Sequence, residues 1–470
     1  MRRARRLTAA VVTVCLLAGC GPSQGRPGPA QTGPAATGPA STGPAATGPA
    51  PTGAGGAWVT YDHDAARSGV DPSSPPAGAL RAGWTSPGLD GAVYAQPLVV
   101  GSSVLVATEA DTVYSLDGDS GSIQWSRHLG TAVDGASLPC GNIDPSGITG
   151  TPVADPGAGT MWVVTFSAPA HHTLWSLDLR SGAVRSQVPA DPPGSDPAAQ
   201  QQRGALTLAG SRVYVPYGGL FGDCSDYHGW VMGYPVTGGG APYSYETPTD
   251  REGGIWSPPG AALGAGGSLL VATGNGTPVD AVDGSDSVVR LSASLGVEDS
   301  FTPSDFAALS AADKDLGSTS PALLAGGLVL QVGKDGVGYL LAGDHLGGVG
   351  GQLASAPVCG GAFGGDAVAG RLVFVSCFDG LYAVAVTASP APALSVAWHT
   401  TGTHPGPPVV AGGVVWTVER SGGLAGYDAT TGAPRGRAAV TPVGSFPTLA
   451  AASGSLYVPG GDRILAFSGA

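Results

Sequence analysis

Charge is scarce in this chain, and one kind of charge especially so. Only 12% of the 470 residues are Asp, Glu, Lys or Arg, and lysine occurs just twice, at Lys314 and Lys334. Coiled coils and helical bundles draw heavily on Glu and Lys, so that class is excluded. No cysteine pair has the C-x-x-C spacing of a thiol zinc site, nor the C-x-x-C-H spacing of covalent haem. After the N-terminal residues, no apolar run is long enough to cross a bilayer as a helix, which takes about 20 residues. Positive charge is lacking in the body of the chain. All 34 acidic residues follow residue 57, whereas five of the 21 basic ones (Arg2, Arg3, Arg5, Arg6 and Arg26) precede it. Such a surface repels phosphate backbones, and nucleic acid is excluded as a partner.

Glycine and proline are plentiful instead, at 79 and 41 residues. Glycine falls short of the one-in-three of collagen, and nine tryptophans with 42% hydrophobic residues argue against disorder throughout. A large, turn-rich, all-β protein remains.

Residues 1–19 hold four arginines and the apolar run Leu7 to Gly19, which suits a signal peptide. The run ends Leu17-Ala18-Gly19-Cys20, which resembles the bacterial lipobox. That resemblance implies lipidation at Cys20 and export, with anchoring to the outer face of the cytoplasmic membrane. The lipid would be the sole membrane contact. Residues 20–57 follow as a flexible tether, with Thr-Gly-Pro-Ala units at Thr32, Thr37, Thr42 and Thr47. Four cysteines remain in the body. Exported proteins form disulfides, so two bridges are expected, with three pairings possible. Cys140–Cys224 and Cys359–Cys377 are favoured, because the first pair falls in loops and the second lies within one repeat.

Residues 58–470 read as one domain in which a single unit recurs eight times. Three short strands divided by glycine turns precede a fourth. Third strands include Leu174-Trp175-Ser176-Leu177-Asp178, Leu381-Tyr382-Ala383-Val384 and Ile464-Leu465-Ala466-Phe467. The eighth unit lacks its fourth strand, while an orphan, Leu80 to Ser86, precedes the first. The arithmetic predicts an eight-bladed β-propeller of four-stranded blades, closed by an N-terminal strand that completes the last blade. Residues 303–313 are the one stretch that reads as a short helix.

The segment Asp117-Gly118-Asp119-Ser120-Gly121-Ser122-Ile123-Gln124-Trp125 fits D-x-x-x-G-x-x-x-W. It resembles the tryptophan-docking repeat of quinoprotein propellers, the pyrroloquinoline quinone (PQQ) repeat family. The turns at Asp178–Gly182 and Asp428–Gly432 keep the pattern without its tryptophan. Residues 253 to 345 are similar to the cofactor half of quinoprotein alcohol dehydrogenases, through Gly253-Gly254-Ile255-Trp256, Thr273-Gly274-Asn275, Asp315 and Gly333-Lys334-Asp335-Gly336. The resemblance implies Trp256 as the floor under a quinone, Asn275 and Asp315 as calcium ligands, Asp315 as general base and Lys334 on a quinone carbonyl. The chain departs from that family in two places. It has no adjacent Cys-Cys pair, and the stretch Gly218 to Asp223 holds no glutamate for calcium. Each site residue also has a structural reading: Trp256 opening an inner strand, Asn275 in a turn, Lys334-Asp335-Gly336 in a hairpin. Asp280, Asp283 and Asp286 read as a solvated acidic loop.

The expected role is a monomeric, non-catalytic binding or scaffold module for a protein or carbohydrate partner at the cell envelope, with no cofactor. The alternatives are a PQQ- and Ca²⁺-dependent alcohol dehydrogenase and an envelope assembly factor.

Overall fold

The computed structural model describes residues 57–402, 404–441 and 444–470. The signal peptide, Cys20 and nearly all of the tether lie outside the described residues.

Eight sheets of β-strands make up the ring. Their blades span residues 98–128, 153–189, 207–246, 262–302, 322–357, 362–399, 409–438 and 450–468 and are numbered 1 to 8 in that order. Each blade runs from an innermost strand at the channel to an outermost strand at the rim. Burial follows that order. In blade 1 the innermost Leu98–Val100 is buried throughout, whereas the outermost Ile123–His128 is mostly exposed. Blade 8 supplies three strands, and its fourth is Arg81–Thr85, which pairs antiparallel with Ile464–Ser468 in the register Arg81↔Ser468, Ala82↔Phe467, Thr85↔Leu465. The orphan strand therefore closes the ring as its sequence pattern predicts. The one α-helix among the described residues is Phe306–Ala311, inside the stretch expected to be helical.

The repeat's turn and tryptophan serve neighbouring blades. Asp117, Asp178 and Asp428 each accept backbone N–H groups two and three residues on, which fixes a tight turn ending in a glycine of positive φ. Each glycine lies beneath the indole of the preceding blade: Trp84 on Gly121, Trp125 on Gly182 and Trp398 on Gly432. The indole N–H groups donate to Gly118, Leu179 and Ala429 carbonyls at 2.8, 3.3 and 3.1 Å. A turn that lacks its own tryptophan is thus served by its neighbour's. Trp84 belongs to the closing strand, so that strand binds blade 8 by hydrogen bonds and blade 1 by its indole.

Residues 58–77, which no repeat pattern covers, fill one end of the channel. Trp58 exchanges backbone hydrogen bonds with Val99 of blade 1, and the Val59 carbonyl accepts from Ala154 of blade 2. Thr60 and the fully buried Arg67 bond to Leu206 beside blade 3, and Arg67 also reaches Thr207. The Ala65, Ser68 and Gly69 carbonyls accept from Leu263, Val368 and Val410 in blades 4, 6 and 7. Val70–Asp71 then pairs in parallel with Val409–Ala411, and Asp71 accepts from the Ser453 N–H of blade 8. One short segment thereby ties most of the innermost strands to each other.

Candidate functional site

At the other end of the channel lies a cavity of about 520 Å³. Its walls come from loops ahead of the innermost strands and from the ends of second strands, and none of residues 58–77 is among them.

Three of the residues singled out from sequence meet there: Trp256, Asp315 and Lys334. Trp256 stands in the loop ahead of Ala262–Leu263, not at the start of a strand, so it faces the cavity instead of stacking within a blade. Gly274 makes room for the cluster. A Cβ there would fall 2.9 Å from Asp315 Oδ1 and 3.3 Å from Trp256 Nε1. The Lys334 ammonium donates to Asp315 Oδ2 at 2.7 Å and Asp313 Oδ1 at 2.8 Å, and sits 5.7 Å from the Trp256 ring centroid. Burial raises the Asp315 pKa, with Lys334 pulling it back. Burial would lower the lysine, but Asp315 and Asp313 outweigh it and hold its pKa above the ordinary value.

Asn275 has a different place from the one its sequence context implies. Its backbone N–H donates to Asp315 Oδ1 at 2.8 Å, and its side chain does not line the cavity. The acidic loop also differs from expectation, because Asp286 is fully buried. It accepts the Leu316 N–H at 3.0 Å and so fixes the turn that carries Asp315. Burial, reinforced by Asp315, pushes its pKa up to about 8.

The disulfides Cys140–Cys224 and Cys359–Cys377 both form, and both stand at the cavity. Cys377 lines it, and Gly222 of its wall lies against Cys140. Beside them Phe221 and Phe378 are 68% and 59% exposed, unusual for side chains of that size.

Sequence reasoning missed four further residues of the lining, Arg203, Arg420, Phe363 and Phe446. The Phe446 ring is 6.2 Å from Trp256 and 6.3 Å from Phe363, and the Arg203 guanidinium lies 4.9 Å over it. Phe446 has φ 61°, a left-handed conformation that a bulky side chain rarely adopts. Neither Gln201-Gln202-Arg203 nor Ser445-Phe446-Pro447 belongs to a repeat position, so no local pattern marked them. The scarcity of basic residues was the one available signal.

A calcium-bound quinone does not fit these donors. Ca²⁺ takes six to eight oxygens. Both oxygens of Asp315 are engaged, by Asn275 N–H and by Lys334. The wall where the glutamate is wanted presents Gly219, Leu220, Phe221 and Gly222, and the Asp223 carboxylate accepts the Tyr227 hydroxyl at 2.6 Å. Among the described residues, the one convergent group of three His, Cys, Asp or Glu ligand atoms is Cys359, Cys377 and Asp379, whose sulfurs are joined to each other.

Comparison with known proteins supports the fold. Residues 81–219 match the family described as outer membrane protein assembly factor BamB. The eight four-stranded blades, with indoles docked from blade to blade, make the chain an eight-bladed β-propeller. Over residues 81–219 it is similar to the PQQ-repeat family. Among solved structures, the propeller is similar to the quinohemoprotein alcohol dehydrogenase ADHIIG of Pseudomonas putida HK5, at TM-score 0.67 and 13% identity over 88% of this chain and 80% of that one. The quinohemoprotein alcohol dehydrogenase of Comamonas testosteroni gives 0.65 and 16% over the same shares. BamB from Moraxella catarrhalis gives 0.55 and 15%, covering 83% of this chain and 98% of that one. No curated protein sequence is significantly similar to it.

Proposed function

We propose that this propeller is a non-catalytic binding module, exported and held at the membrane by a lipid on Cys20, whose ligand occupies the cavity at the open end of the channel. The observation that carries the reading is the Asp315–Lys334 pair. A general base needs a free carboxylate oxygen facing substrate, and Asp315 spends one on a backbone N–H and the other on an ammonium. What the cavity keeps available is an apolar wall and a set of donors, which are the marks of a small-molecule site.

Two measurements test this. Purified protein supplied with PQQ and Ca²⁺ is expected to give no alcohol-dependent dye reduction and no micromolar binding of PQQ by calorimetry. Dye reduction abolished by Asp315→Ala would establish the dehydrogenase instead. Native mass spectrometry of protein purified from its own cells is expected to show a retained small molecule that Trp256→Ala loses; an empty cavity in the wild type would count against a binding role.

The location has its own check. Two disulfides accord with an oxidising compartment, and Leu17-Ala18-Gly19-Cys20 supplies the lipidation motif. A fatty-acid analogue fed to cells is expected to label the wild type and leave Cys20→Ala unlabelled. Label persisting in that variant would remove the anchor from the reading.

A further inference from the structure

Lys334 is a cation already matched with two carboxylates. Arg203, in the same cavity, is not. Among the described residues no carboxylate lies within salt-bridge distance of it. Of its five N–H donors, one hydrogen bond is made, from Nη2 to the Ser445 carbonyl at 2.9 Å, and its Nε is buried with no partner. Glu109 is near enough to be felt electrostatically, but its Oε2 accepts from the Gly147 N–H and the Thr149 hydroxyl, and its Oε1 makes no hydrogen bond to Arg203 or to any other group. Burial raises the Glu109 pKa to about 7, so it is a weak counter-ion. In a chain with 34 acids and 21 bases, a cavity arginine with no carboxylate in contact is a conspicuous opening for an anion. Leaving such a group half-satisfied is costly, and a guanidinium fork matches a carboxylate through two parallel hydrogen bonds.

The surroundings of Arg203 narrow the ligand further. Its guanidinium lies over Phe446, whose backbone is held in a strained conformation and whose ring continues the apolar wall to Trp256. Arg420 stands exposed at the same cavity, where it adds attraction for an anion without demanding a buried contact. We propose that the cavity binds a planar aromatic monocarboxylate, with its carboxylate on Arg203 and its ring against Trp256 and Phe446. Lys334 is already committed to Asp313 and Asp315, so a second carboxylate would have only the solvated Arg420 to meet it, which favours a ligand with one. This assignment rests on the reading of the cavity as a binding site and specifies its ligand.

The test compares 2-naphthoate with 2-naphthalenemethanol and 2-naphthylmethylammonium by titration calorimetry on the intact protein. The carboxylate is expected to bind at least about tenfold more tightly than the alcohol, and the ammonium least. Arg203→Met is expected to erase the preference for the carboxylate while keeping alcohol binding. Trp256→Ala is expected to weaken both. If Arg203→Met does not fold, Arg420→Gln serves in its place, with an expected loss of two- to threefold for the carboxylate alone and a weaker salt dependence. Equal binding of carboxylate and alcohol by the wild type, tighter ammonium binding, or no binding of any of the three overturns the ligand class. The native mass spectrum would still report separately whether the cavity holds a ligand.

Discussion

Removing residues 58–86 is expected to leave a chain that does not reach the native state. The deletion takes away the fourth strand of blade 8, exposing the backbone edge of Ile464–Ser468, and an exposed edge is a template for aggregation. It also takes away Trp84 from Gly121 and the whole segment that joins the innermost strands at the channel. Trp58 alone is fully buried, and its indole donates to Gln96 at 2.9 Å. Truncating a core tryptophan costs about 3–5 kcal/mol, of the order of a domain's entire margin of about 5–15 kcal/mol when added to the lost strand. Soluble expression and thermal unfolding of the deletion beside wild type check this. An unchanged melting temperature would show that neither the strand nor the channel segment holds the ring together. Deleting residues 27–52, which lie ahead of the propeller, is expected to leave the melting temperature unchanged.

Stability is expected to fall as pH rises from 5 to 8. Burial raises Glu109 and Asp111 to about 7 from their ordinary values of 4.5 and 3.8, and Asp286 to about 8. Asp62 and Asp366, buried in the channel with neither carboxylate oxygen hydrogen-bonded, are raised well above the ordinary value as well. A carboxyl with a raised pKa in the folded state holds its proton after the unfolded chain has released it. Its contribution is complete below about pH 4 and is lost as pH climbs through the folded value. For Glu109 the loss is on the order of 3 kcal/mol. Burial lowers the pKa of His172, which works in the other direction, but only below about pH 6.5 and through a single proton. Urea unfolding at pH 5, 6.5 and 8 is expected to show the decline, and Glu109→Gln or Asp286→Asn to flatten it. Stability that rises across this range would contradict the assignment of these carboxyls as desolvated.

Repetition made most of the fold legible. Each blade needs apolar inner strands separated by glycine turns, so a strand missing at one end of the body and spare at the other could be matched directly. The pattern was silent on residues 58–77, because the segment lies in the channel through backbone hydrogen bonds that most side chains permit. Arg67 and Asp62 there look like ordinary surface residues in the sequence. At the cavity, Trp256, Asp315 and Lys334 could be named because they fall in a recognisable stretch. Arg203 and Phe446 could not, since they come from separate blades and acquire meaning only where the ring brings them together. Asn275 shows a further limit. Its neighbourhood in sequence matched a ligand, yet the contact it makes with Asp315 is through its backbone, which residue type does not encode.

The clasp between Arg81–Thr85 and blade 8 also governs how the ring is assembled. The Ser86 hydroxyl accepts the Ile464 N–H across 378 residues of intervening chain, so this seam is a contact of extreme sequence separation. Contacts of that kind are slow to form, because the loop must close before any of its hydrogen bonds is gained. Blades 1 to 7 each contain a complete local meander and can collapse early, while the closing strand, among the first to be synthesised, waits for a partner among the last. During that interval the strand and the edge of blade 8 stand open together, and the joining of this one seam is expected to set the slowest step of folding.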